Sequence, residues 1–334
     1  MREVAALAGV SLKTVSRVVN REPNVSPSVR ERVERAAAKL DYRHNLAASN
    51  LRKAHGRTGS LGALVQDISN SFSSSVLRGI ENAARDRGLA LVAASLDEDA
   101  DREMSLVRDL VTRRVDGLIM MPSSDRQDYL ASELRAGLPM VFIDRPPTGI
   151  DCDYVVVDNV RGGRLATEHL LAAGHRRIAV VADDEHIYTA AGRRAGFAEA
   201  YAARGLSPDP ALIVSGLRNE AAGLAAVDAL LRLADPPTAI FASRNTLCVA
   251  AVRALARCGL QRSVALVGFD DFPLADVIEP GLTVIGQDTS RIAEKVAELL
   301  FARLDGSTAR PHHVILPPTL IVRGSGEIPP PASR

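Results

Sequence analysis

Cysteine is scarce in this sequence, and its apolar runs are short. Only 3 cysteines occur among 334 residues. The three are Cys152, Cys248 and Cys258. Their odd number and the lack of CxxC spacing argue against a disulfide framework and a zinc site. We therefore expect the cysteines to be small, buried hydrophobic side chains. No apolar run reaches the length of a transmembrane helix, and the N-terminus lacks the features of a signal peptide. We therefore expect a cytoplasmic protein with no membrane partner.

Motifs for enzymatic chemistry are also missing. The sequence contains no Gly-rich Walker loop, no G-x-S-x-G nucleophile elbow and no cluster of His, Cys and Asp at metal-ligand spacing. The pair Gly162 and Gly163 is too weak a signal to indicate a nucleotide site, and His175 follows the end of a predicted helix, where we expect a structural role. These absences predict that the protein is not an enzyme and holds no cofactor or metal.

Charge is distributed unevenly along the chain. Residues 1–57 contain 12 Lys and Arg against 5 Asp and Glu, whereas the remainder contains 29 against 35. The overall charge of +1 therefore combines a basic N-terminal segment with an acidic body. Clustered positive charge suits a module that contacts phosphates, although a solvated helical face can also be basic by chance. The charge supports a DNA-binding prediction without deciding it.

The segment GVSLKTVSRVVN, residues 9–20, has the pattern of the recognition half of a helix-turn-helix. Gly9 can supply the positive φ of a tight interhelical turn, and Ser11 is a good N-cap for the helix that follows. Apolar residues then share one helical face: Val15, Val18 and Val19. The opposite face, free to enter a DNA major groove, carries Leu12, Lys13, Ser16 and Arg17. An ordinary helical turn would show the same short pattern, so its context matters.

That context is a third predicted helix. Ser26 is an N-cap candidate followed by Pro27 at the first helical position, and the helix should extend to about Leu40. Its apolar residues recur at three- and four-residue spacing: Val29, Val33, Ala36, Ala37 and Leu40. Three short helices would make a DNA-binding headpiece in which Arg17 reads a guanine edge and Lys13 reaches a base or a phosphate.

From residue 60 onward, short apolar runs alternate with amphipathic segments. The predicted strands cover residues 61–65, 89–94, 115–121, 139–143, 178–182, 211–214, 239–241 and 265–269. The predicted helices cover residues 74–87, 101–113, 129–136, 161–173, 192–204, 219–233 and 247–258. This alternation predicts an α/β fold in which parallel sheets are covered by helices on both faces. Ligands collect beyond the carboxyl ends of such strands, so we expect a site in the loops after Val65, Met121, Ile143 and Phe269.

Six segments carry a more specific signal. In chain order they are GVSLKTVSRVVN, NVSPSVRERVERAAAKLDYRHN, NLAASNLR, GIENAARDRGLAL, DNVRGGRLATEHLLAAGHRRIAVV and ALVGFDDFPLADVIEPGLTVIGQD. In this combination and order they resemble the LacI/GalR family of bacterial transcription regulators across essentially the full chain. The resemblance implies a two-lobed body of the type I periplasmic-binding-protein kind, a small effector between the lobes, and a homodimer that reads a near-palindromic operator in double-stranded DNA.

The resemblance also implies domain boundaries. Residues 1–44 would be the helix-turn-helix headpiece, 45–57 the hinge helix and linker, and 58–328 the effector-binding and dimerisation body. Within the body, lobe 1 would comprise residues 58–157 and 288–316, lobe 2 would comprise 158–287 and 317–328, and a flexible tail would follow at 329–334. The proline-rich end of the sequence lacks heptads, so we expect a dimer rather than a coiled-coil tetramer.

The hinge segment comprises residues 45–52, which is below the length at which isolated helices are stable in water. We therefore expect it to fold only on DNA, where it packs against the same segment of the second subunit. By resemblance, Leu51 would wedge between base pairs in the minor groove, although a plain interdomain linker would also suit these residues. The complete set of expected DNA contacts is Leu12, Lys13, Thr14, Ser16, Arg17, Asn20, Asn24, Tyr42, Asn45, Ala48 and Leu51.

Candidate effector contacts follow from the same resemblance: Phe72, Asp144, Arg193, Arg244, Asp270 and Gln287. A carboxylate at a strand end can accept paired hydrogen bonds from vicinal hydroxyls, and an aromatic ring can pack against a sugar ring. Simpler roles are open as well, because Asp270 could cap the next segment and Phe72 could belong to the core.

Two positions depart from the family pattern. The family's arginine is expected five residues before Gly196, where this sequence has Ala191, so the usual effector clamp is expected to be absent. The family motif Ala-Asn-Asp appears as Ser-Arg-Asn at 243–245, which places a guanidinium where an amide normally lies. Either Arg244 recognises an effector that is anionic or larger than a simple hexose, or it pairs with Asp270 and closes an empty cleft.

Together these features predict a sequence-specific DNA-binding transcriptional regulator, with repression the family's more common outcome. A small sugar-like or sugar-derived effector between the lobes would change their angle, the separation of the hinge helices and hence operator affinity. The effector could act as an inducer or as a corepressor. The alternative function is a two-lobed solute- or sugar-binding protein without regulatory DNA binding.

Overall fold

The computed structural model describes residues 1–19, 24–42 and 57–332. These residues fall into two compact units, an N-terminal unit (Met1–Gly59) and a body (Ser60–Arg334). The helices described in the N-terminal unit are α1 (Arg2–Ala8), α2 (Leu12–Val19) and α3 (Pro27–Lys39).

The turn between α1 and α2 forms as its sequence predicts. Gly9 ends α1 with φ of 64°, the left-handed conformation that glycine adopts without steric cost. Ser11 Oγ accepts a hydrogen bond from the backbone N–H of Thr14 at 3.1 Å, which satisfies a free amide of α2. Ser26 differs, because it precedes α3 without a side-chain cap bond and its Oγ lies instead 3.4 Å from Ser28 Oγ.

A small apolar core joins these three helices. Its buried members are Val4, Ala5, Ala8, Val15, Val18, Val33 and Ala36. The predicted inward face of α2 is confirmed, since Val15 and Val18 are buried and Val19 packs against them. Leu40 was expected on the buried face of α3 but is 40% exposed, because the helix ends at Lys39 and Leu40 is its C-cap.

The body contains two six-stranded sheets. Sheet 1 is built from β1 (Ser60–Val65), β2 (Ala90–Ser95), β3 (Gly117–Met120), β4 (Met140–Ile143), β5 (Asp153–Val157) and β11 (His313–Leu316). Sheet 2 is built from β6 (Ile178–Val181), β7 (Ile213–Val214), β8 (Ala239–Ala242), β9 (Ala265–Phe269), β10 (Thr283–Gly286) and β12 (Thr319–Ile321). The strand orders are β11-β5-β4-β3-β1-β2 and β12-β10-β9-β8-β6-β7. The two sheets therefore repeat one topology.

Every strand pair of the two sheets is parallel except β10 with β12. The helices of the body are α4 (Ser71–Asp86), α5 (Ala100–Thr112), α6 (Ala131–Arg135), α7 (Asn159–Ala172), α8 (Tyr188–Ala202), α9 (Glu220–Leu231), α10 (Asn245–Arg257) and α11 (Thr289–Leu304). Separate apolar clusters cover the two faces of each sheet. The predicted α/β fold class is confirmed.

We call sheet 1 with its helices lobe 1, and sheet 2 with its helices lobe 2. The chain passes between the sheets after β5, after β10 and after β11. Helix α11 follows a strand of sheet 2 yet packs on sheet 1, where Ile292, Val296 and Leu300 are buried in its core. The crossovers therefore join the lobes along one side.

Some elements differ from their sequence predictions. Four strands were not among those predicted from the sequence: residues 153–157, 283–286, 313–316 and 319–321. Asp153 is buried in β5, and Arg303 Nε donates to its Oδ2 at 2.7 Å. Residues 129–136 form a 3₁₀ turn followed by a five-residue helix, and residues 211–214 form a 3₁₀ turn and a two-residue strand. Short segments like these leave little periodicity to read.

Candidate functional site

A cavity of about 720 Å³ lies between the two lobes, at the carboxyl ends of their strands. The loops expected to hold a ligand meet here, and their first cavity-lining residues are Gln66, Pro122, Asp144 and Asp270. Because the sheets share one topology, Asp144 after β4 and Asp270 after β9 occupy equivalent positions in the two lobes. The cavity is the topological switch region where parallel sheets bind ligands.

Both aspartates adopt an unusual backbone conformation. Asp144 has φ of 66° and Asp270 has φ of 69°, in the left-handed region that few residues other than glycine visit. Each backbone N–H donates to the neighbouring strand, from Asp144 to Val155 O at 3.1 Å and from Asp270 to Ile285 O at 2.8 Å. This conformation ends the strand abruptly and leaves each carboxylate on the cavity wall. Backbone strain of this kind concentrates at functional sites.

Arg193 from α8 reaches the cavity close to both carboxylates. Its side chain is only 5% exposed, and its guanidinium carbon lies 3.6 Å from the centroid of the Phe269 ring. Nε donates to Asn159 Oδ1 at 2.8 Å, and Nη1 donates to the Ser243 carbonyl at 2.7 Å. Two of the five guanidinium N–H groups are thus engaged, and the arginine is fixed by stacking and hydrogen bonds.

Arg193 was among the predicted effector contacts, and it lines the cavity although the position of the family's usual arginine is alanine here. Ala191 does lie five residues before Gly196, but the arginine that lines the cavity is Arg193, three residues before that glycine. Residues three apart share a helical face, so the face that packs on α7 also directs Arg193 inward.

Close packing of α7 on α8 sets the position of Arg193. A Cβ added at Gly163 would lie 2.0 Å from the Arg193 carbonyl oxygen, and one added at Gly196 would lie 1.9 Å from the Val160 carbonyl oxygen. Only glycine permits this backbone approach. The pair Gly162 and Gly163 therefore serves helix packing: Gly163 lies against the Arg193 backbone, and Gly162 lies against the Phe269 ring.

Burial shifts the pKa values of this charged group. Desolvation raises the pKa of Asp144, and Asp270 raises it further, while Arg145 and Arg193 oppose the rise. Desolvation likewise lowers the pKa of Arg193, although Asp270 and Asp144 favour its charged form. The charged forms of Asp144 and Arg193 therefore favour each other. A polyhydroxyl ligand could exchange hydrogen bonds with all three groups without adding charge.

Arg244 pairs with Asp183, not with Asp270 as one hypothesis held. Both partners belong to lobe 2, so this ion pair does not close the cleft. Asp270 instead accepts a hydrogen bond from Gln287 Nε2 at 2.5 Å, which places two of the expected effector contacts side by side. The neighbouring Asp271 pairs with Arg323 and leaves the cavity lining to Asp270.

The cavity wall carries more acidic than basic side chains. Eight carboxylates and four arginines line it. Every one of these arginines has a carboxylate neighbour: Arg145 with Glu98, Arg218 with Asp184, Arg244 with Asp183, and Arg193 with Asp144 and Asp270. Positive charge in this cavity is therefore already balanced.

Two aromatic side chains line the cavity from opposite lobes. Phe72 packs partly against the core of lobe 1 while it faces the cavity, so its two proposed roles are compatible. Tyr188, at the start of α8 in lobe 2, is 45% exposed and was not anticipated from the sequence. Asn70 and Asn245 also line the cavity and were missed. Their separation of 175 positions along the chain gives no local signal.

The N-terminal unit displays the expected recognition face. Leu12 is 47% exposed, Lys13 and Arg17 are exposed, and Thr14 and Ser16 are half-buried on α2. Asn24 is exposed just before α3, whereas Tyr42 packs partly against the core of the N-terminal unit. The remaining expected DNA contacts lie outside the described residues: Asn20, Asn45, Ala48 and Leu51.

Other sequence expectations can be checked in the described ranges. His175 is buried and bonds through Nδ1 to Thr238 Oγ1 and through Nε2 to the Ile328 carbonyl, which confirms its structural role. Cys152 and Cys248 are buried as expected, and desolvation raises the pKa of each thiol to about 12. Cys258 is exposed, so the expectation that it is buried was wrong. Residues 1–19, 24–42 and 57–332 contain no helix long and apolar enough to span a membrane.

Comparisons with known proteins agree with this architecture. The family model of bacterial regulatory proteins of the lacI family matches residues 1–45, and that of the periplasmic binding protein-like domain matches residues 167–326. The chain is 36% identical over 334 residues to the HTH-type transcriptional regulator CelR of Thermobifida fusca, covering 97% of each chain. It is 31% identical to the ribose operon repressor of Escherichia coli K12, covering 97% of this chain and 99% of that relative.

Solved structures give the same result. The transcriptional regulator CelR–cellobiose complex is 34% identical, with a TM-score of 0.72 over 97% of this chain and 98% of that one. The lac repressor dimer bound to operator and the anti-inducer ONPF is 27% identical, with a TM-score of 0.83 over 97% of both chains. Because the matches include the basic N-terminal unit, they exclude a solute-binding protein without regulatory DNA binding. The chain belongs to the LacI family of bacterial regulatory proteins.

Proposed function

We propose that this protein is a homodimeric transcriptional repressor whose operator affinity changes when a small carbohydrate binds between lobes 1 and 2. The observation that carries the proposal is the placement of Asp144, Arg193 and Asp270 around one interlobe cavity, in a chain that also presents an exposed recognition helix. A regulator of bacterial genes acts in the cytoplasm, and we propose that location.

The DNA-binding part of the proposal rests on α2. Lys13 and Arg17 are exposed on the face opposite Val15 and Val18, so both side chains can enter a major groove while the valines hold the helix to its unit. We assign base reading to Arg17 and base or phosphate contact to Lys13. The hinge assignment for residues 45–57, with Leu51 as a minor-groove wedge, is part of the same proposal.

Dimer formation is supported by exposed apolar side chains on the body. Leu274 and Val277, between β9 and β10, are 67% and 64% exposed, and Val92 on the edge strand β2 is 44% exposed. Large apolar side chains in water favour a partner surface, and a twofold dimer would present two headpieces to one palindromic site. The similar lac repressor is described as a dimer on its operator.

The charge of the cavity narrows the effector class. Since each arginine of the wall already has a carboxylate neighbour and the acidic groups are in excess, an anionic effector would meet net repulsion. We therefore propose a neutral sugar, and not the anionic ligand that Arg244 suggested in the sequence. Phe72 and Tyr188 provide aromatic surfaces for sugar rings, and the similar CelR structure is described as a cellobiose complex.

A thermal-shift screen tests the effector class with matched pairs. Each neutral sugar is compared with its own acid, such as glucose with glucuronate and cellobiose with cellobionate. A ligand of the cleft raises the melting temperature by mass action, and we expect the neutral member of a pair to give the larger shift. A larger shift with the acid would overturn the neutral-sugar assignment. No shift with any carbohydrate, together with unchanged operator binding, would overturn the effector proposal.

A further inference from the structure

Asn245, the first residue of α10 in lobe 2, connects the two lobes directly. Its side chain is 5% exposed, and its carboxamide uses all of its hydrogen-bonding capacity. Oδ1 accepts from the Thr246 backbone N–H at 2.7 Å and from Asn70 Nδ2 at 3.0 Å. Nδ2 donates to Asn70 Oδ1 and to Ser71 Oγ, both at 3.1 Å. Three of these four hydrogen bonds reach lobe 1.

The partner on lobe 1 is held in position by its own helix. Asn70 is the N-cap of α4, and its Oδ1 accepts the Phe72 backbone N–H at 2.9 Å. The cap fixes the carboxamide, so it meets Asn245 at little cost in side-chain entropy. Among the described residues that line the cavity, the hydrogen bonds that cross between lobes all end on Asn245.

We propose that Asn70, Ser71 and Asn245 form an amide latch that holds the lobes together before an effector enters. Opening the lobes removes three partners from a buried carboxamide at once, and buried polar groups are costly to leave unpaired. The latch therefore sets the ratio of closed to open lobes in the free protein. This regulatory role rests on the proposed function, because an effector that contacts both lobes binds the closed arrangement.

Three variants separate the latch from ordinary capping. Asn70→Ser keeps a good N-cap on α4 but shortens the side chain, so the bonds to Asn245 are lost. Asn245→Ser removes the same bonds from lobe 2. The matched control is Asn219→Ser, because Asn219 caps α9 through its bond to the Ala222 N–H at 2.9 Å and does not line the cavity. Ser71→Ala, which removes one cross-lobe bond, is a milder test should the larger changes impair folding.

Double electron–electron resonance on the full-length protein measures the distance between the lobes without any ligand. Nitroxide labels are attached at exposed sites, one in each lobe, through Asp101→Cys and Arg204→Cys. The background carries Cys258→Ser, because Cys152 and Cys248 are buried and Cys258 is not. Dilution with unlabelled protein keeps the measured pair within one protomer. Circular dichroism verifies that each variant is folded.

We expect the parent and Asn219→Ser to share one narrow distance distribution. Asn70→Ser and Asn245→Ser should shift it towards a second, displaced population, with the closed-to-open ratio lower by about tenfold. The double variant Asn70→Ser/Asn245→Ser should give the same distance distribution as either single variant, because each single substitution already removes the whole latch. An unchanged distribution in folded Asn70→Ser and Asn245→Ser proteins would overturn the latch. The distance measurement needs neither operator nor effector, so an unchanged distribution would overturn the latch and leave the proposed repressor function standing. Conversely, a parent protein that binds no operator would overturn the proposed function and leave the latch standing.

Discussion

Replacing Arg193 of α8 with methionine removes a guanidinium that interacts electrostatically with both Asp144 and Asp270. Methionine keeps an apolar stem of similar length above the Phe269 ring, so the substitution mainly deletes the guanidinium. Two hydrogen bonds disappear with it, from Nε to Asn159 Oδ1 and from Nη1 to the Ser243 carbonyl.

The size of the effect follows from burial. Arg193 is 5% exposed, and its loss leaves two buried acceptors, Asn159 Oδ1 and the Ser243 carbonyl, without their donor, at about 1–3 kcal/mol each. We expect a loss of that order in the free energy of unfolding of the body. Arg194→Met is the matched control, since Arg194 pairs with the exposed Glu185 at 2.7 Å and such surface pairs contribute at most about 1 kcal/mol.

Urea denaturation followed by circular dichroism measures both losses. A second substitution, Asp144→Asn, should stabilise Arg193→Met by more than it stabilises the parent protein, because the guanidinium that favours the charged form of Asp144 is then absent. A loss below about 1 kcal/mol for Arg193→Met, or one equal to that of Arg194→Met, would show that buried hydrogen bonds of the arginine do not stabilise the body. An equal effect of Asp144→Asn in the parent and in Arg193→Met would contradict the proposed link between Arg193 and Asp144.

Three further predictions follow from the structure. Asp144→Asn should raise the free energy of unfolding at neutral pH, since desolvation raises the pKa of Asp144; the gain should vanish below an ordinary aspartate pKa of about 4, as pH-dependent thermal melts would show. Gly196→Ala should cost about 3 kcal/mol by the same melts, because its Cβ would lie 1.9 Å from the Val160 carbonyl oxygen and the helices must separate. Arg17→Ala should weaken specific operator binding at least about tenfold in fluorescence anisotropy with little effect on unrelated DNA, whereas Arg32→Ala, on an exposed part of α3, should affect both DNAs equally.

Local sequence signals predicted the N-terminal unit well, because its turns depend on neighbouring residues. Gly9 adopts the expected positive φ, and Ser11 caps α2 as expected, since both roles are fixed by residues within one turn. The alternation of apolar runs also predicted the parallel sheets. It missed β5, β10, β11 and β12. In β5 the burial of Asp153 depends on Arg303, which lies 150 positions away.

The effector cleft was predicted less completely. Asp144 and Asp270 could be expected at strand ends, but their equivalence appears only once both sheets are built. Counting positions placed alanine at the family's usual arginine position, and Arg193, which was also a predicted contact, lines the cavity through the packing of α8 on α7. The amide contact of Asn70 with Asn245 joins residues of separate lobes, and no periodicity in the chain signals it.

The central claim is that the interlobe cavity controls DNA binding, and operator affinity with and without the cleft ligand tests it most directly. An operator selected from a random DNA pool is labelled, and its Kd is measured by fluorescence anisotropy with the sugar that gives the largest thermal shift. We predict that saturating sugar changes the operator Kd at least fivefold in the parent protein and leaves it unchanged in Asp270→Asn. An operator Kd that is the same with and without bound sugar in the parent protein would contradict the account.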